Sequence, residues 1–101
     1  MSWEPRACKS SDRLTADAAV KATAGQIVAI TLEAAAADTT LVVYDNASAA
    51  SGVVAAKILI DVSIEGTPTT RHVNFQVPIA CSNGIYADIT GASAAYIIYY
   101  R

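Results

Sequence analysis

Charge is scarce in this chain. Only 16% of its 101 residues are charged, against roughly 25% in soluble domains at large. So little charge suits a subunit covered by neighbours better than a free monomer. The formal net charge is -2 and no basic cluster occurs, so nucleic acid is not an expected partner. One histidine, His72, and two distant cysteines, Cys8 and Cys81, cannot assemble a zinc site from local spacing. Two cysteines are also too few for the disulfide framework of a small secreted domain. They read as reduced thiols, with a single Cys8–Cys81 bridge as the alternative. No apolar run approaches the ~20 residues of a membrane helix. Residues 1–13 have no apolar central region, so synthesis in the cytoplasm without a signal peptide is expected.

Catalytic groupings are equally sparse. Cys81 and His72 could form a nucleophile–base pair, but no third group in the sequence orients them. The carboxylates Glu33, Asp38, Asp45, Asp61, Glu65 and Asp88 stand singly. A glycosidase pair drawn from them would have few aromatics to line its cleft. The glycines fall at turn positions and make no phosphate-binding loop. The reading is therefore non-enzymatic, with no catalytic, cofactor-binding or metal-ligating residue.

What the chain does hold is short strands and turns. Leu41-Val42-Val43-Tyr44 is β-branched and aromatic, types that fit a half-buried pleated surface. Asp45-Asn46 ends it, since short polar side chains bond their own backbone in turns. Residues 47–52 (ASAASG) form a loop, and residues 53–62 resume with period two. Ala56, Ile58, Ile60 and Val62 share one face, whereas Leu59 on the wet face breaks the pattern and marks a surface for a neighbour. Residues 18–23 read as a short strand. Residues 26–33 read as a strand with Val28, Ile30 and Leu32 inward and Ile27 on the opposite face. Residues 71–79 alternate with Val73, Phe75, Val77 and Ile79 inward and His72, Asn74 and Gln76 outward. Pro78 cannot donate to a ladder, which places it at a strand end or edge. Residues 84–90 and 94–101 close the chain. About seven to eight such strands predict an all-β antiparallel sandwich or jelly roll spanning residues 12–101.

Residues 1–11 read as an extended N-terminal arm. They hold Trp3, the only tryptophan, and Pro5, which fixes φ and opposes helix. Trp3 is expected either to fold back over its own sandwich or to dock on a neighbour, since aromatic anchors are enriched at interfaces. Near the other end, Tyr96, Ile98 and Tyr100 share one strand face. They read as an apolar stripe for a partner, with Tyr99 and Ile97 on the core side. The alternative has the tyrosines shielding the sheet.

The order AVKATAGQIVAITL, LVVYDNASAASG, VVAAKILIDV, VNFQVPIACSNGIYADITG and YIIYY resembles small virion proteins of tailed bacteriophages. The likeness lies in the YDNASAASG loop and the approach PIACSNGIY to the penultimate strand, and it leaves the arm out. It implies a β-sandwich virion component, most simply a decoration (cement) protein bound to the major capsid protein, assembled as a homo-oligomer such as a trimer. The alternative is a tail or head–tail component that reads a host surface through residues 47–52.

Overall fold

The computed structural model describes residues 8–101. Trp3 and Pro5, and with them the expectations for most of the arm, lie outside the described residues. The chain forms eight strands: β1 (Lys9–Ser10), β2 (Ala18–Lys21), β3 (Gly25–Ala34), β4 (Thr39–Tyr44), β5 (Val54–Ile60), β6 (Thr69–Cys81), β7 (Ile85–Thr90) and β8 (Ala95–Tyr100). One short helix, α1 (Val62–Glu65), links β5 to β6.

Two antiparallel four-stranded sheets result, in the orders β1-β8-β3-β6 and β2-β7-β4-β5. Within them β1 pairs with β8, β2 with β7, β3 with β6 and β4 with β5. This is the pattern of one long antiparallel ribbon, folded in half at the β4–β5 loop and then rolled up. Two further pairings, β3 with β8 and β4 with β7, hold the roll. The stretch 41–62 thus occupies the fold of the ribbon. Its inward residues Leu41, Val43, Ile58 and Ile60 meet Ile27, Ile30, Leu32, Tyr96 and Ile98 from the other sheet in one buried core. Apolar burial on this scale is the main term holding a sandwich together.

The β3 face differs from simple alternation. Ile27 joins Ile30 and Leu32 in the core, while Val28 is only half-buried. The cause is a bulge. Ile27 and Ala29 stand opposite the adjacent residues Tyr100 and Tyr99 of β8, so Val28 has no partner there. One inserted residue reverses the phase of every side chain before it. On the β6 side the same Val28 stands opposite the four residues 75–78, because Ile79 pairs with Ile27 and Asn74 with Ala29. Pro78 cannot donate there. As a result Val77, expected inward, is 81% exposed.

The connection after β5 also departs from a plain turn. Asp61 caps α1: its carboxylate accepts from the Ser63 N–H at 3.0 Å, and the Ile64 and Glu65 N–H groups donate to its carbonyl. Val62, expected at the end of the strand, is the first residue of this turn of helix.

Candidate functional site

The outer strands of the two sheets define two sides of the sandwich. On one side β1 and β2 are the edges; on the other, β5 and β6. Among the described residues, the large hydrophobic side chains that remain exposed are Val53, Val54, Leu59, Ile64 and Val77. All five belong to β5, to β6 or to the segments that flank them. Between these edges runs a groove of about 390 Å³ lined by Ala55, Ala56, Ile58, Val73, Phe75 and Ile79, with Lys57, Leu59 and Arg71 also contributing.

Local sequence explains the groove. Ala55 and Ala56 are too small to fill the gap between the sheets where Phe75 and Ile79 lean in. One end is closed by Arg71, whose guanidinium donates to the Leu59 carbonyl at 2.8 Å and pairs with Glu65 of α1. The other end opens towards the start of β5 and the end of β6. Unpaired edge strands invite pairing with another chain, and an apolar groove beside them adds burial to that invitation.

Leu59 meets its expectation as a surface residue, at 53% exposure. Tyr96 and Ile98 do not. Both are fully buried in this chain's own core, and the Tyr96 hydroxyl donates to the Ala16 carbonyl at 2.7 Å. The stripe they form with Tyr100 faces the opposing sheet, because β8 lies between β1 and β3 and its inner face has nowhere else to turn. Tyr100 is half-buried against the core. Ile97 and Tyr99, expected on the core side, lie on the outer face. There the Tyr99 ring meets His72 edge-on, with centroids 6.1 Å apart.

The remaining chemistry-bearing residues are engaged separately. His72 bonds Thr31 through Nδ1 at 2.7 Å and Asn74 through Nε2 at 3.0 Å on the exposed face of β6. Cys81 is buried nine residues further along that strand, so the two groups are on the order of 30 Å of extended chain apart. Burial raises the Cys81 thiol above its ordinary value, with the Asp45 carboxylate adding to it. Cys8 is exposed, and both thiols are free. Among the described residues no group of three or more His, Cys, Asp or Glu could hold a metal ion.

The β4–β5 loop is organised from within. The Asp45 carboxylate accepts from the N–H groups of Ser82, Asn83 and Gly84 at 3.1, 2.7 and 3.3 Å and from the Ser82 hydroxyl at 3.2 Å. The Asn83 bond, followed by the Ser82 and Gly84 bonds, outweighs desolvation and holds its carboxyl below the ordinary carboxylate value. Asn46 accepts from the Ser48 and Ala49 N–H groups and donates to Ser51. Gly84 is needed for close approach, since a Cβ would lie 2.7 Å from the Ala47 Cα and from the Lys21 carbonyl oxygen. Loop residues 46–51 thus spend several polar groups on one another.

Comparison with known protein families, characterised proteins and solved structures finds no match to this chain.

Proposed function

We propose that the protein is a non-enzymatic virion subunit, a decoration protein that binds the head shell of a tailed phage and works by docking rather than by chemistry. The observation that carries this reading is the concentration of exposed Val53, Val54, Leu59, Ile64 and Val77 on one side of the sandwich. A rigid body with one adhesive side is what a shell-bound subunit requires, and the low charge of the whole chain fits a surface that neighbours cover.

The rolled-ribbon pairing supports the jelly-roll reading, an architecture used by viral capsid domains and by lectins. That fold does not itself select a function. The sequence resemblance to small phage virion proteins supplies the rest. A second reading, a tail module that grips a host surface, draws on the loop of residues 47–52. That loop offers mainly alanine and serine, poor anchors beside the apolar edge.

Incubating the purified protein with phage heads lacking decoration, followed by sedimentation and imaging, tests the proposal. Regular occupancy of the shell lattice is expected, reduced by Leu59→Lys. Density on the tail, or no association with heads, would reject the head-shell reading.

A further inference from the structure

We infer that the outer face of the β2-β7-β4-β5 sheet binds the same face of a second copy of this chain, about a two-fold axis that runs parallel to β4 over Val42 and sets Lys57 of each copy against Asp88 of the other. This contact is separate from the head-shell reading and does not rest on it.

The strand register lays the face out in rows. Tyr44 stands between Val54 of β5 and Tyr86 of β7, Val42 between Lys57 and Asp88, and Thr40 between Leu59 and Thr90. Leu41 and Val43, which alternate with these β4 residues, are in the core, so the three rows lie on the outside. A bulge at Ala55 brings Val54 onto this face, since Val43 pairs with Ala56 and Tyr44 with Val54. Val54 and Leu59 are exposed, and Val42, Tyr44 and Tyr86 are half-buried. The face is therefore largely apolar, with one cation and one anion on opposite sides of Val42.

Within one chain those two charges are kept apart. Lys57 and Asp88 sit two strand spacings from each other, roughly 10 Å, with Val42 between them. Among the described residues the ion pairs are Arg13–Glu33 and Arg71–Glu65, so neither Lys57 nor Asp88 takes part in one. Asp88 has a second carboxylate beside it instead. Burial and this Asp17 neighbour hold the Asp88 carboxyl above the ordinary carboxylate value, and an ammonium from another chain would offset the like charge.

Symmetry decides which chain supplies it. Turning a copy about an axis parallel to β4 puts β5 over β7. Lys57 then meets Asp88 twice, Val54 meets Tyr86 twice, and Val42 and Tyr44 meet their own copies. Turning it about an axis across the strands sets Lys57 on Lys57 and Asp88 on Asp88, a juxtaposition of like charges that disfavours association. The charge pattern thus selects one self-complementary arrangement. Packed sheets lie about 10 Å apart, a gap that a lysine and an aspartate reaching towards each other span. The inclination of about 30° between packed sheets shifts groups one strand from the axis by only roughly 2–3 Å.

Light scattering and sedimentation of the full chain test the contact, and the parent is expected to be a dimer. Lys57→Glu and Asp88→Lys each bring two like-charged pairs into the interface and should raise the dimer dissociation constant about tenfold or more, with the circular dichroism of the parent retained. Mixing the two variants should restore the dimer, because each swapped charge then faces its opposite in the other chain. Combining both substitutions in one chain should restore it too. Salt near 1 M should narrow the differences, since the screening length there is about 3 Å. Val42→Lys, which places two cations at the axis, should also dissociate the dimer and stands in should either swap prove destabilising. A monomeric or trimeric parent, folded variants that dimerise like the parent, or a mixture of folded variants that stays monomeric would each overturn the inference. A protein that dimerises in this way yet leaves phage heads bare would reject the head-shell function and keep the contact. A monomer that decorates heads would do the reverse.

Discussion

Along one side of the sandwich the edge strands β1 and β2 are two and four residues long; along the other, β5 and β6 are seven and 13. Each side is crossed by chain passing from one sheet to the other, yet only the first is sealed. There the segment before β2 runs along the edge of β8. Leu14 exchanges backbone bonds with Tyr96, Ser11 accepts from the Ile98 N–H through its hydroxyl, and Asp17 accepts from the Ile89 N–H. Leu14, Val20 and Tyr96 fill the space beneath. On the second side the link through α1 sits at one end, and alanines leave the remainder open. Side-chain size and backbone pairing, rather than strand type, separate a sealed edge from an open one.

Truncating an apolar side chain on each side should expose the contrast most strongly. Tyr96→Ala removes a fully buried ring and is expected to cost about 3–5 kcal/mol, close to the whole stability of a small domain. Leu59→Ala on the open side should stay within about 0.5 kcal/mol in the isolated protein. Urea unfolding of the two variants at low protein concentration measures the difference.

Alkali should attack the sealed side next. The Tyr96 phenol is pushed up from 10.0 to about 12, chiefly by burial, with the Asp17 carboxylate and Tyr86 adding to it. The unfolded chain therefore ionises this group first. Its contribution is full below pH 10 and disappears as the pH rises to about 12, a loss of roughly 2–3 kcal/mol. Stability measured against pH in Tyr96→Phe should lack that component, whatever its stability at neutral pH.

Filling space should separate the sides more gently. Ala87→Leu enlarges a fully buried residue beside β2 and should cost about 1–3 kcal/mol through overpacking. Ala56→Leu extends into the groove, and a change within about 1 kcal/mol is expected, since the added methyls meet open space. Equal losses from the two substitutions, read by thermal melting, would show the open side to be as tightly packed as the sealed one.

Much of the architecture was legible from residue order. The alternation through residues 53–60 set which face of β5 is inward, and Asp45-Asn46 marked a strand end that the structure keeps. Leu59 stood out as an apolar residue on a wet face and is exposed. Alternation misled where a strand carries extra residues: Ile27 and Val77 each lie on the face opposite to the one a regular pleat assigns. It also could not say which face of β8 was the inner one. Ile97 and Tyr99 are as apolar as Tyr96 and Ile98, so both faces look alike in the sequence.

By itself, then, the sequence determined the class of fold and the position of its turns, because period-two burial and turn chemistry are local and each residue carries its own preference. The tertiary structure alone decided that Tyr96 and Ile98 belong to the core, and that the apolar residues left outside gather along β5 and β6. Those outcomes depend on which strands are neighbours. Neighbours in a rolled ribbon are residues far apart in the chain, joined by pairings such as Lys9 with Tyr100 that no local pattern encodes.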